Sequence, residues 1–414
     1  MMEQEFRTHV FPNGLRLIHA WMPREASHCA LAIQAGTRNE AQGEAGLAHF
    51  IEHALFKGTR TRKPFHVLNR MESVGGEVNA FTTKEETWIT SSQRATHTER
   101  AIELMADIAF ESVFPQHELD KERDVILDEI AGVEDQPADV IFEEFESLLF
   151  EGHPLGMKIL GDAQHVRGLT RNQVLEFVAR HYRPSNMVLG VVGAVEWEAV
   201  KGWAQKHMGA RPNEEPGLAR DLDAWTPRAP FRVSRPKGIH QTHHVGGCLA
   251  PGGNDADRLA MTVLANLLGG PAMNCRLNLN IRERHGMAYH IEASHVIYQD
   301  LGLFNVYFGT DARFHDKVER LVKKEIHALR NYALGTRQLH DAKQQLLGQM
   351  VLSQDHGASL LGGLTKAFLV HNRVETTKQV VKAVEALSAS DLMDVAQQWL
   401  GEDRWSSLIY ASEA

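Results

Sequence analysis

Cysteine is scarce in this chain. Cys29, Cys248 and Cys275 are its only thiols, odd in number and far apart. That excludes a disulfide framework and a cysteine-type zinc site. Reduced thiols in a reducing compartment are the plainer reading. Positive charge is also short. The 44 Lys and Arg are outnumbered by 53 Asp and Glu, so the basic footprint of a nucleic-acid binder is missing. No apolar run is long enough to span a bilayer. Met1 to Val10 lacks the apolar segment of a secretory signal, and does not have the Arg/Ser-rich, acid-poor character of a transit peptide. The expectation is a cytoplasmic protein with neither a membrane nor a nucleic acid as partner.

What is present is ordinary globular composition, 43% hydrophobic and 23% charged, in 414 residues. That length exceeds what one hydrophobic core normally organises, so two domains are expected. The least regular stretch, from Gly209 to Pro230, gathers Pro212, Pro216, Pro227 and Pro230 among charges. It sets the expected boundaries at 1–210, a linker at 211–230, and 231–414. The first domain opens on a strand, an Asn13-Gly14 turn and a second strand, which is a strong hairpin signal. Further strands are expected over Cys29–Gln34, Glu77–Thr83 and Met187–Val192. Helices are expected over Leu47–Phe56, Arg94–Phe110 and Glu118–Val133. After the linker the pattern recurs. The segment from His28 resembles the one from His243, and each leads into an apolar helix ending in glycine. This reads as a duplication, two domains of one fold. The second copy carries Leu259 to Leu268 where the first carries His and Glu, so the match implies that only the first copy holds a metal.

That metal motif is His49-Phe50-Ile51-Glu52-His53. Residues four apart share a helix face, so both imidazoles can meet one ion. Glu52 reaches the same side and can take a proton from water. In a chain with 23 histidines the five residues alone are weak evidence, since such a pair is often only a polar helix face. Glu122 and Glu129 strengthen it. Seven positions return almost to the same helix face. Val125 and Ile126 lie between them on that stripe, and an apolar stripe should not carry two carboxylates without compensation. A dication would compensate one, and the other could hold a ligating imidazole.

Inverted His-x-x-Glu-His followed at long range by Glu-x6-Glu resembles the M16 metallopeptidases, the pitrilysin and mitochondrial-processing-peptidase family. The resemblance covers most of the chain. It includes Gly46 to Thr59, Gly75 to Thr82, Gly152 to Gly156, His181 to Met187 and Leu268 to Leu277. Cys275 stands where serine is usual, and Ile89 where tyrosine is common. The resemblance implies one zinc ion per chain on His49, His53 and Glu129, with Glu52 as general base and Glu122 behind a ligating imidazole. Arg282 and Tyr289 match an Arg-x6-Tyr element that holds the substrate backbone and donates to the oxyanion. Asn79 and Ala80 match an edge strand to which a peptide adds. Phe56 matches a pocket floor beyond the scissile bond. Asp139 and Glu143 match acidic positions that select arginine, although such pairs are commonly just solvated surface.

The fold implied is α+β, two homologous domains arranged as a clamshell, each a mainly antiparallel sheet covered by helices on one side. The function implied is a zinc-dependent endopeptidase acting on extended peptides or leader segments. The alternative is a non-catalytic structural or assembly subunit of the same family. The chain is about half the length of the single-chain members of the family. Because the chain holds both the zinc motif and the Arg282/Tyr289 element, a homodimer is expected, with a heterodimer with a related subunit as the other arrangement.

Overall fold

The computed structural model describes residues 6–213 and 225–412. Of the expected linker, 214–224 lie outside the described residues, and 211–213 and 225–230 form neither helix nor strand. The strands are β1 (Phe6–Val10), β2 (Arg16–Trp21), β3 (Ala26–Ile33), β4 (Glu77–Thr82), β5 (Thr87–Arg94), β6 (Met187–Gly193), β7 (Arg232–Lys237), β8 (Thr242–Ala250), β9 (Ala288–Ile297), β10 (Gly302–Thr310) and β11 (Ser406–Ser412). The helices are α1 (Leu47–Ala54), α2 (Pro64–Glu72), α3 (Thr98–Glu111), α4 (Gln116–Glu134), α5 (Pro137–Leu149), α6 (Ala163–Gly168), α7 (Arg171–His181), α8 (Trp197–Ala204), α9 (Arg258–Gly269), α10 (His315–Asn331), α11 (Thr336–Gln354), α12 (Gly357–His371), α13 (Thr377–Ala386) and α14 (Ala389–Trp399).

These elements form two compact units, each built on one sheet. Among the described residues the first unit gathers 6–132, 157–213 and 351–377, and the second gathers 133–156, 225–350 and 378–412. Each unit thus contains a segment taken from the opposite half of the sequence. Helix α12 packs in the first unit and α5 in the second.

In the first unit the sheet order is β1-β2-β6-β3-β5-β4, antiparallel except for the β2–β6 pair. The β1–β2 hairpin turns where Asn13 and Gly14 predict it. Gly14 takes φ 83°, a left-handed conformation that costs glycine little. Successive side chains of a strand point to opposite faces, and β3 shows both uses. Cys29, Leu31 and Ile33 join the core formed with α1, α3 and α7, whereas Ala30 and Ala32 face Leu360, Leu361, Phe368 and Leu369 of α12. The sheet is therefore covered on part of its second face as well, beyond the one-sided cover expected. Double burial explains why β3 and β6 read as nearly continuous apolar runs rather than alternating ones.

A buried arginine ties α12 to the sheet. Arg16 of β2 donates through its Nη1 to the carbonyl oxygens of Phe368 (3.0 Å) and Leu369 (2.9 Å) and to Asn372 Oδ1 (2.6 Å). The last carbonyls of a helix have no partner within it, and a cation there also complements the helix dipole.

In the second unit the order is β7-β11-β8-β10-β9, antiparallel except for β7–β11. Helices α9, α10 and α14 bury one face, and α9 ends at Gly269 without any His or Glu, as the duplication implied. On the other face Ile141, Phe145 and Leu149 of α5 pack against Val245, Tyr307, Leu408 and Tyr410. The Tyr298 hydroxyl donates to Glu146 at 2.8 Å, and Tyr410 bonds Glu144.

Arg16→Met keeps the aliphatic stem and removes the guanidinium. It is expected to lower stability by about 2–3 kcal/mol, because the α12 carbonyls lose a charged donor. Thermal melting checks this, and an unchanged midpoint would contradict the role given to Arg16.

Candidate metal centre

Helix α1 is short, with eight residues, and depends on its surroundings. Leu47, Ala48, Phe50, Ile51 and Ala54 are buried in the core of the first unit. His49, Glu52 and His53 occupy the remaining stripe. The helix begins at Gly46, whose φ of 87° is left-handed, and a Cβ there would sit 2.7 Å from the Leu160 carbonyl oxygen. Gly46 has no side chain to cap the helix. Glu40 does so from a distance, its carboxylate accepting from the amides of Gly46 (3.1 Å) and Ala48 (2.8 Å). A carboxylate at a helix N-terminus satisfies orphan N–H groups and the dipole together. Burial raises the Glu40 pKa well above the ordinary carboxylate value, and the amide bonds oppose that shift. Beside it, Glu44 accepts from the Ala41 amide at 2.8 Å and from Arg180 with both oxygens.

Helix α4 brings the carboxylates. Leu119, Glu122 and Ile126 face inward, whereas Val125 is 49% exposed and stands off the stripe on which the sequence reading put it. Glu122 and Glu129, seven apart, both meet His53 from opposite sides of its ring. Glu122 Oε2 lies 3.2 Å from His53 Nδ1, and Glu129 Oε2 lies 3.4 Å from His53 Nε2. Glu129 Oε2 is also 3.8 Å from His49 Nε2. Lys57 Nζ holds the other Glu122 oxygen at 2.7 Å.

One donor atom from each of His49, His53 and Glu129 lies within 4.8 Å of the others. A tetrahedral zinc ion with bonds of about 2.0–2.1 Å separates its ligand atoms by roughly 3.3 Å. The two nitrogen–oxygen distances above need only small inward shifts to reach that, so the donor set fits zinc. Burial, aided by the neighbouring charge of His53, pushes the His49 pKa down to about 4. The imidazole is then neutral, as a ligand must be. The His49 Nδ1 and Glu52 Oε2 atoms are buried without hydrogen-bond partners. Burial raises the Glu52 carboxyl pKa, Thr82 and His53 oppose it, and the charge of Glu129 adds to it. Such a carboxyl is poised for proton transfer.

Thr82 ends β4, which is the edge of its sheet among the described residues. Asn79 is exposed on that strand and Ala80 is buried, with the Ala80 amide donating to Asn79 Oδ1 at 2.9 Å. Phe56 is half-buried against the core. The structure thus brings His49, Glu52, His53, Glu122 and Glu129 together, next to the strand carrying Asn79 and Ala80. The remaining residues singled out belong to the second unit. Arg282 is exposed on a π-helical turn (Asn278–Glu283), and Tyr289 of β9 is 62% exposed. Asp139 is exposed and Glu143 half-buried on α5.

Four supporting residues escaped the sequence reading: Glu40, Lys57, Thr82 and Tyr182. Tyr182 is buried, and its hydroxyl pKa is pushed up by burial with the charge of Glu52 adding. Nothing local marks Glu40, because its partners are backbone amides six and eight positions away. Glu40→Ala is expected to cost about 1–2 kcal/mol of stability through loss of the cap. Urea unfolding measures it, and a loss below a few tenths would remove Glu40 from this role.

Comparison with known proteins identifies the family. Residues 17–163 match the profile of Insulinase (Peptidase family M16), and residues 168–346 that of the Peptidase M16 inactive domain. An uncharacterized zinc protease of Mycobacterium tuberculosis is 30% identical, over 95% of this chain and 90% of its own. The uncharacterized zinc protease YmxG of Bacillus subtilis is 28% identical, over 97% of each. Among solved structures, a protease from Helicobacter pylori superposes with a TM-score of 0.90 at 19% identity, covering 99% of this chain and 100% of that one. A peptidase M16 inactive domain from Pseudomonas fluorescens gives 0.89 at 19% identity, covering 99% and 98%. The two-unit fold, the family profiles and relatives named as zinc proteases converge: this chain belongs to the M16 peptidase family, in its short two-domain form.

Proposed function

We propose that the chain is a zinc-dependent endopeptidase that hydrolyses extended peptides or leader segments in the cytoplasm. The observation that carries this reading is the convergence of His49, His53 and Glu129 donor atoms beside the unpartnered carboxylate oxygen of Glu52. Three protein donors and an adjacent base are the makings of a catalytic rather than a closed structural site. One zinc ion per chain, held there, would act as a Lewis acid on a substrate carbonyl and acidify water.

The chain's own groups supply the rest. The peptide adds to the free edge of β4 at Asn79 and Ala80 by backbone hydrogen bonding, which tolerates many sequences. Glu52 accepts the proton of the attacking water and returns it to the leaving amine. Glu122 fixes the proton on His53 Nδ1, leaving Nε2 as the ligating nitrogen, and Lys57 holds Glu122 in place. By family resemblance Tyr289 donates to the developing oxyanion and Arg282 engages the substrate backbone. Phe56 takes the side chain after the cut, and Asp139 and Glu143 favour a basic one before it.

Glu52→Gln is expected to retain zinc and lose peptidase activity by about 10²–10⁴-fold. A fluorogenic-peptide assay with and without chelator, run beside metal analysis, checks both halves. Full activity in the variant would refute the assignment, and inactivity of the wild-type protein with zinc bound would favour the assembly-subunit alternative. The chain is further proposed to form a homodimer. Analytical ultracentrifugation of the purified chain alone should give twice the monomer mass, whereas a monomer would point to a different partner subunit.

A further inference from the structure

The second unit contains another convergence of imidazole and carboxylate groups, unrelated in position to α1. His244 lies on β8 and faces the α10 side of its sheet, its ring stacked on Phe308 (centroids 4.7 Å) and on His315 (5.1 Å). His315 and Glu319 begin α10, four positions apart and hence on one face. His244 Nδ1 is 2.9 Å from His315 Nε2. One donor atom from each of the three residues lies within 4.8 Å of the others. We propose that His244, His315 and Glu319 form a second metal site, for a divalent ion of the zinc class.

Several features point to a ligand set rather than a bare histidine pair. His315 Nδ1 lies 2.9 Å from the Asp316 carboxylate. A carboxylate on one ring nitrogen fixes the proton there and turns the lone pair of the other outward, the arrangement metal-bound histidines adopt. That other nitrogen, Nε2, is the one aimed at His244. A proton moving from His244 Nδ1 to its Nε2 frees the second lone pair with no net loss of charge. The two nitrogens then need to part by only a few tenths of an ångström to reach the roughly 3.3 Å edge of a tetrahedral site. Burial pushes the His244 pKa down to about 3, so its imidazole is neutral across physiological pH.

Glu319 is partly committed already. Its Oε1 accepts from Arg232 Nη1 at 2.6 Å and lies 2.8 Å from Lys323 Nζ. Among the described residues its Oε2 takes only Arg232 Nη2 at 2.9 Å, which leaves that oxygen a lone pair for an ion. Arg232 and Lys323 are each about half exposed, 51% and 49%, so solvent screens their repulsion of a dication. An open surface hollow lined by Arg232, Asp316, Arg320 and Lys323 borders Glu319. Two imidazoles and one carboxylate suit zinc, and suit magnesium or calcium poorly. Occupied, the site would pin the start of α10 to the sheet.

The test uses the full-length His49→Ala/His53→Ala protein, whose first centre is disabled, dialysed against zinc chloride. It should bind one zinc per chain, and zinc should raise its melting temperature reversibly with EDTA. Adding His315→Ala, or Glu319→Gln should the first variant not fold, should abolish both effects. No bound zinc and no melting shift in the double variant would overturn the site, leaving a simple His244–His315 hydrogen bond. So would a zinc that survives both further substitutions. Because the first centre is already removed, either result is independent of whether that centre binds zinc or catalyses.

Discussion

The site rests on the cost of burying a polar stripe. Helix α1 has one face in a close-packed core, and its other face carries a buried His49 and half-buried Glu52 and His53. Buried polar groups without partners are costly, and buried charges more so. Helix α4 answers that demand by presenting Glu122 and Glu129 to the two nitrogens of one ring. Lys57 then balances Glu122. With these in place, the partnerless groups that remain, His49 Nδ1 and Glu52 Oε2 among them, stand beside the place where an ion and a substrate would be received.

An eight-residue helix cannot hold such groups by itself. Isolated helices shorter than about 12–15 residues are marginal in water. Core packing and the remote Glu40 cap supply what length does not, and Arg180 braces the same loop through Glu44. The same principle operates at α12, where Arg16 of β2 takes up the last carbonyls. At α5 the carboxylates of Glu144 and Glu146 meet tyrosine hydroxyls of the sheet. In each case a polar group drawn into the interior anchors one helix at a defined place, where apolar contact alone would let it slide.

Much of this was legible locally. The β1–β2 hairpin follows from Asn13-Gly14, α1 and α4 from apolar periodicity, and the shared helix face of Glu122 and Glu129 from a spacing of seven. Val125 shows where periodicity fails. It stands next to Ile126 in sequence, yet α4 is only partly covered and Val125 faces solvent. The supporting residues were less visible. Arg16 reads as an ordinary charged position in a strand, and Glu40 as one acid among many, because each binds backbone groups that carry no sequence signature. The placement of α5 and α12 could not be found from composition either. Their apolar stripes say that they are buried, and say nothing about which sheet receives them.

The sequence by itself determined which side chains share a face at the candidate metal centre. A four-residue histidine spacing and a seven-residue glutamate spacing are fixed by helix geometry, and each places its pair on one face whatever the rest of the chain does. It also determined the α+β class, through strand and helix periods that packing merely executes. Tertiary structure decided that the two faces meet, since nothing in the 75 residues between His53 and Glu129 encodes the approach of α1 to α4. It decided as well that His244, on a strand, comes within hydrogen-bonding distance of His315, at the start of a helix 71 positions away. Contacts between distant elements arise from burial of complementary surfaces, and a linear pattern carries only one surface at a time.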